Sequence, residues 1–139
     1  MNKIEETAML FDWFSDRGQP FQVQGIDVDN GGRHHLCSSR YGWDNNADVA
    51  PMPVNKEVME INGFTQWVTE PQVYYKLAEL PDVVFCINDE NESNTCSITT
   101  LVDYNGIMHV LMTVTYIHEL QRVLRQCGLH EFANQFKIK

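Results

Sequence analysis

The segment RHHLC concentrates the residue types that could form a nucleophile and its base: His34, His35 and Cys37. A cysteine thiolate attacks a substrate when an imidazole within hydrogen-bond reach takes its proton and an acid orients the ring. On a strand, His35 and Cys37 share a face, with Cβ atoms roughly 6–7 Å apart, so contact between them is possible but not specific. We interpret the segment as one strand of a hairpin that carries surface histidines.

Cys86, Cys96 and His109 could bind a metal ion if the chain brought them together. A zinc site would need two ligands beyond the cysteine pair, and the four cysteines of the chain form no CxxC motif. A disulfide is conceivable if Cys86 and Cys96 face each other on neighbouring strands. The N-terminal residues lack the pattern of a secretion signal, which favours reduced thiols. We expect two small buried side chains, and no metal or cofactor.

Carboxylates cluster at Asp89, Glu90 and Glu92, and a second pair is Asp27 with Asp29. Acid–base catalysis needs one carboxyl group in an apolar pocket. The run at 89–92 falls in a predicted hairpin tip, where water keeps all three groups charged. It is typical of a solvated turn; the alternative is an acidic prong that meets a basic surface.

The segment from Ser38 to Asn55 shows almost no periodic apolar pattern. Connections longer than about 12–15 residues are uncommon in compact domains and are usually functional or disordered. This one contains three residues of the types that dominate interface hot spots, with two acids beside them. They are Arg40, Tyr41 and Trp43, followed by Asp44 and Asp48. Either these residues anchor a partner, or the two rings pack on the protein's own sheet.

Three basic residues, His118, Arg122 and Arg125, recur at helical spacing near the C-terminus. They are expected to form a solvated stripe opposite the apolar face of a helix. Three positive charges are too few for a nucleic-acid footprint.

The first half of the chain combines one predicted helix with one hairpin. Ile4, Ala8, Phe11 and Phe14 lie at helical spacing and predict a helix over 4–16. The apolar pattern then changes to that of strands over 21–29 and 33–39. The turn Asn30-Gly31-Gly32 joins them, and a break in the alternation predicts a β-bulge at Gly25.

The middle of the chain can be divided in two ways. The turn signal Asn62-Gly63 favours a hairpin over 57–69, whereas the residues of 55–62 also suit a helix. Thr69 then begins a predicted helix over 70–80, which Pro81 ends.

Three strands in series are predicted over 82–87, 95–102 and 107–114. A helix follows, with Thr115 as its cap and Gly128 at its end, and then a short final turn that contains Phe132 and Phe136. The loop lengths place Cys86 opposite Cys96 and His109 opposite Val102. Val83, Phe85 and Ile87 then share an apolar core face, while Ile98 and Thr100 lie on a second, mixed face. That face needs a cover, either a helix or another copy of the protein.

The chain has 139 residues, of which 43% are hydrophobic, and a net charge of −9. These values predict one domain over 1–139. The elements predict an α+β fold: a mostly antiparallel sheet that contains the C-terminal three-strand meander, with N-terminal and C-terminal helices packed on it. No apolar run is long enough for a membrane span, so a cytoplasmic location is expected.

The charge disfavours direct binding to nucleic acid and favours a partner with a basic surface. The leading hypothesis is a small, acidic, non-enzymatic interaction protein. In size and charge it resembles phage inhibitors of restriction or CRISPR systems, which suggests that it blocks a nucleic-acid-binding surface of its partner. The alternatives are a small-molecule-binding protein or modest enzyme with a pocket near His109, Thr100 and Cys86, and a self-associating structural subunit.

Overall fold

The computed structural model describes residues 8–32, 34–38, 42–43, 49–68, 73–90, 96–105 and 107–138. These residues form two antiparallel sheets of five strands and three short helices, which confirms the α+β class. The first sheet has the order β4-β3-β2-β1-β5 and consists of β1 (Trp13–Asp16), β2 (Gln19–Val28), β3 (His34–Ser38), β4 (Gly42–Trp43) and β5 (Val49–Pro51). The second has the order β10-β9-β8-β7-β6 and consists of β6 (Thr65–Val68), β7 (Tyr74–Leu77), β8 (Leu80–Glu90), β9 (Cys96–Tyr104) and β10 (Ile107–Val114).

The helix predicted over 4–16 is wrong where the structure describes it, because β1 occupies its last four residues. β1 pairs with β2 through a two-residue turn in which Arg17 has a φ of 53° and Gly18 a φ of 78°. Positive φ at both central positions matches the right-handed twist of the flanking strands. The turn therefore directs the chain into a hairpin, and the apolar spacing that suggested a helix serves a strand instead.

The hairpin of β2 and β3 confirms the prediction for this region. The two strands are antiparallel, Val28 pairs with His34, and Gly32 N–H donates to the Asp29 carbonyl across the turn at 3.0 Å. The register shifts between Val23 and Gly25, where the bulge was expected.

The hairpin predicted over 57–69 is wrong, and the helical alternative is correct: α1 covers Lys56–Ile61. The Asn55 side chain caps the helix by accepting Val58 N–H at 2.8 Å. Asn62 has a φ of −96°, which a two-residue hairpin turn of the expected type does not allow. Gly63, with a φ of 90°, instead ends the helix in the left-handed conformation typical of glycine.

The helix predicted over 70–80 is also wrong where it is described, because β7 lies there. Tyr75 and Leu77 are buried, whereas the residues before each are half-buried, so burial alternates with the period of a strand. Pro81 lies at the start of β8, before that strand's first pair with β9 at Val83. A proline is tolerated there, because Pro81 lies at the register shift between the β7–β8 pairs Leu77 with Leu80 and Lys76 with Val84.

The strands β8, β9 and β10 follow one another as predicted, but they belong to a sheet of five, and parts of their register differ. His109 pairs with Val102 as expected. Cys86 lies opposite Thr99 rather than Cys96, and Cys96 lies opposite Glu90. This shift places Ile98 on the same face as Phe85 and Ile87, in the main core rather than on the mixed face.

The main core lies between the inner face of the second sheet and the helices, which are α1, α2 (Ile117–Gln126) and α3 (His130–Asn134). α2 begins at the cap Tyr116 rather than Thr115 and ends before Gly128, which has a φ of 91°. The expected final turn is α3, and Phe136 after it is buried. A smaller cluster on the first sheet contains Phe14, Phe21, Val23 and Leu36. No helix in these described residues is long and apolar enough to cross a membrane.

Candidate interaction site

The hairpin of β8 and β9 extends beyond both of its neighbouring strands. β7 pairs with β8 as far as Cys86, and the last pair of β10 with β9 is Val114 with Ile98, at the level of Ile87. Beyond Ile87 and Ile98, the described strands pair only β8 with β9, and this pair is Glu90 with Cys96. We call the described strand ends beyond that level, 88–90 of β8 and 96–97 of β9, the acidic arm.

The acidic arm contains two of the predicted interaction residues, Asp89 and Glu90, in the last part of β8. Glu92 lies outside the described residues. No third strand of the described sheet pairs beside this two-stranded extension, and the adjacent Asp89 and Glu90 make the described end of β8 acidic. The sequence predicted that Asp89 and Glu90 lie in a hairpin tip, which is wrong: β8 continues through both residues, because it is still paired with β9 at Glu90 and Cys96.

Of the other predicted interaction residues, the structure describes Trp43 alone. Trp43 belongs to the two-residue strand β4 and pairs with Cys37 of β3. Trp43 therefore belongs to the first sheet, whereas the acidic arm belongs to the second. No strand pair among the described residues joins Trp43 to the arm. The remaining members of the set lie outside the described residues: Arg40, Tyr41, Asp44 and Asp48.

The histidines of β3 agree with the interpretation as a hairpin strand. His35 Nε2 lies 3.0 Å from an oxygen of the Asp29 carboxylate, whose other oxygen accepts Gly31 N–H at 2.9 Å. Both His35 and Asp29 are partly exposed. The contact ties the imidazole to the hairpin turn, as expected for a surface histidine.

The alternative pocket near His109 is not assembled. Thr100 faces the core with Phe85, and its hydroxyl donates to the Met112 carbonyl at 2.9 Å. Cys86 alternates with Phe85 and lies on the opposite face of the sheet, while His109 is on the exposed strand β10. These three side chains therefore cannot line one site. Among the described residues, no group of three His, Cys, Asp or Glu side chains could hold a metal ion.

The expected solvated stripe on α2 is wrong for two of its three members, because His118 and Arg125 are buried. Arg125 Nη1 donates to the Asp12 carboxylate at 2.6 Å, and its Nη2 donates to the Leu10 carbonyl at 3.0 Å. Asp12 itself is 0% exposed, and its second oxygen accepts Met9 N–H at 2.9 Å. The pair neutralises two buried charges where the N-terminal segment meets α2.

Gln121 extends this buried contact into a network of main-chain bonds. Its side chain accepts Trp13 N–H at 3.0 Å and donates to the carbonyls of Phe11 at 2.8 Å and Ala133 at 2.9 Å. The N-terminal segment, β1, α2 and α3 are thereby joined at one side chain. We call Asp12, Arg125 and Gln121 the buried junction; its role is to hold the first sheet against the helices.

His118 lies next to the junction, between two rings. Its centroid is 4.8 Å from that of Phe14 and 6.0 Å from that of Tyr116, and it is stacked with the tyrosine. Its Nδ1 is buried and has no hydrogen-bond partner among the described residues. Burial lowers the pKa of His118, and the nearby charge of Asp12 opposes this effect only in part. The imidazole is therefore held as a neutral, largely apolar packing group.

A cavity of about 430 Å³ opens beside the junction. Met9, Leu10, Phe11 and Ile26 give it a largely apolar wall, and Arg125 borders it. Because the guanidinium is already bonded to Asp12 and Leu10, the cavity offers apolar surface rather than an uncompensated charge. Its chemistry suits an apolar group more than an anion.

Sequence reasoning missed the buried junction because its partners are far apart in the chain: 113 positions separate Asp12 from Arg125. One local signal was available. Asp12 stands among apolar residues in MLFDWF, and an acid in such a run needs a buried partner or an exposed face.

Comparisons of the chain with protein-family models, with curated proteins and with solved structures gave no match.

Proposed function

We propose that this chain is a non-enzymatic interaction protein whose acidic arm binds a basic surface of a partner protein. The observation that carries the proposal is the geometry of the arm: β8 and β9 continue past their neighbours and include Asp89 and Glu90. An extension of this kind can enter a groove that a flat sheet cannot. Its carboxylates would pair with lysine and arginine side chains there.

The charge of the chain supports a basic protein partner over direct binding to nucleic acid. The net charge is −9, and phosphates would be repelled at long range. The same charge would speed the encounter with a basic surface and make binding sensitive to salt.

The more specific form of the proposal is inhibition. A basic groove that holds DNA or RNA would accept carboxylates in place of phosphates, so the chain and the nucleic acid would compete for it. Steric and electrostatic competition needs no reaction centre. Trp43 and the residues around it would add an anchor if they reach the same partner.

The test is affinity capture from the native host with matched variants as bait. The arm variant, Asp89→Asn with Glu90→Gln, removes two charges from the acidic arm. The control variant, Glu79→Gln with Asp82→Asn, removes two exposed charges at the opposite end of β8 and in the turn before it. The proposal predicts that the wild type and the variant at Glu79 and Asp82 capture a nucleic-acid-binding protein. The variant at Asp89 and Glu90 should not capture it. Raised salt should release it, and its labelled nucleic acid should be displaced by the wild-type chain. Equal capture by all three baits, or capture that salt does not affect, would disprove the arm as the binding element.

A further inference from the structure

A second surface lies at the outer edge of the second sheet. β10 pairs with β9 on one side, and no other strand among the described residues pairs with its other side. The described sheets end in four edge strands, and β10 is the longest with 8 residues; β4 has 2, β5 has 3 and β6 has 4. A long edge presents a row of main-chain donors and acceptors on which another strand can pair.

The side chains of β10 leave this edge apolar. Ile107 is 62% exposed, Met108 42%, Val110 65% and Leu111 48%. Proteins usually protect an edge with charges, proline or a bulge. The strand IMHVLMTV contains neither proline nor a lysine, arginine, aspartate or glutamate, and its one interruption is the register shift between Val110 and Met112.

A second copy of the chain is the occupant that fits this edge best. Antiparallel pairing about a two-fold axis brings the same residues of both copies together, so an apolar strand is complementary to itself. The chain is acidic as a whole, but β10 itself contains no acidic or basic side chain other than His109, so two copies would meet along a strand without like charges. An edge without strongly charged side chains offers nothing that would select a charged foreign strand.

The opposite edge of the sheet is a weaker competitor. β6 is half as long, and the ring of its exposed Trp67 is covered by the Lys76 ammonium group at 4.2 Å from the centroid. Pairing of β10 with β6 of another copy would also continue from copy to copy without closing.

We propose that two copies of this chain associate through antiparallel pairing of β10 with β10, chiefly along residues 107–110 before the register shift. The two sheets would then become one sheet of ten strands. Standard interfaces bury about 800 Å² per partner, and a strand edge offers less, so a dissociation constant in the micromolar range is expected. This pairing does not depend on the acidic arm.

The test compares Val110→Lys with Val28→Lys, which introduces the same side chain at another exposed valine, on β2 of the first sheet. Molar mass is measured by light scattering over about a hundredfold range of concentration, with amide hydrogen exchange of residues 107–110 on the same samples. The wild type and Val28→Lys should approach twice the chain mass of 16.1 kDa, and their edge amides should become protected as concentration rises. Val110→Lys should keep the monomer mass and fast exchange.

Three results would overturn the proposal: a wild type that is monomeric at every concentration, a Val110→Lys dimer as stable as the wild-type dimer, or growth to masses above the dimer. Thermal unfolding at the lowest concentration shows whether Val110→Lys is folded. If that variant is unfolded, Ile107→Lys at a 62% exposed position replaces it.

Discussion

At the scale of single residues, Asp12 and Arg125 form the most deeply buried ion pair of the described residues. Both side chains are nearly inaccessible, and their closest atoms are 2.6 Å apart. Removing one partner of such a pair leaves the other charge buried and uncompensated.

We therefore expect Asp12→Asn to lower the free energy of unfolding by roughly 3–5 kcal/mol. The control is Asp29→Asn, which changes a carboxylate 43% exposed beside His35 and should cost below about 1 kcal/mol. Urea unfolding of both variants gives the comparison. Equal costs for the two would contradict the assignment of the first pair as buried.

His118 provides a pH dependence of known sign. Because burial lowers its pKa in the folded chain, the unfolded chain binds a proton more readily below the ordinary value of 6.5. The stability that His118 contributes is therefore complete above that value and falls as the pH drops toward the pKa of the folded state. His118→Phe keeps a ring between Phe14 and Tyr116 but removes the titration.

The measurement is the difference in unfolding free energy between wild type and His118→Phe at pH 8 and at pH 5. The difference should shift in favour of the variant at the lower pH, and any constant packing effect of the new ring cancels in the comparison. A difference that does not change with pH would show that His118 is not held neutral by burial.

At the scale of elements, the predictions that succeeded rest on local signals. The turn Asn30-Gly31-Gly32 fixes the β2–β3 hairpin, and the end of β9 is joined to β10 at Asn105, which has a φ of 54°. Such signals act within a few residues and can be read without knowledge of the rest of the fold.

The predictions that failed concern segments whose state is decided by distant contacts. β1 forms against β2 and β5, and β7 forms against β6 and β8, although both sequences also suit a helix. Cross-strand packing then outweighs local propensity. The register of β8 with β9 was missed because the loop length alone does not fix it.

The end of α1 gives a test at this scale. Gly63 has a φ of 90°, so Gly63→Ala should cost about 1–2 kcal/mol of stability, since a Cβ is disfavoured in the left-handed region. Gly31→Ala is the control, because Gly31 is not among the residues with positive φ and the added Cβ would be 3.4 Å from its nearest neighbour. Chemical unfolding compares the two. A Gly63→Ala variant as stable as the control would contradict the helix end described for α1.

At the scale of the whole molecule, the two proposed binding elements differ in chemistry and in place. The acidic arm is an extension of β8 and β9 and depends on charge, whereas the β10 edge is apolar and depends on main-chain pairing. Salt should therefore weaken binding at the arm and leave association at the edge nearly unchanged. A dimer would present two arms to a partner, which increases binding if both arms can be engaged at once.

The most direct test of the central claim, charge-based binding by the acidic arm, is the salt dependence of binding to a defined basic probe. The probe is a peptide rich in lysine and arginine, titrated against the wild type, Asp89→Asn with Glu90→Gln, and Glu79→Gln with Asp82→Asn. The arm variant should bind more weakly and show a shallower dependence on salt, while the control variant should match the wild type. If both variants lose affinity to the same extent, the arm has no special role and only the net charge of the chain attracts the probe.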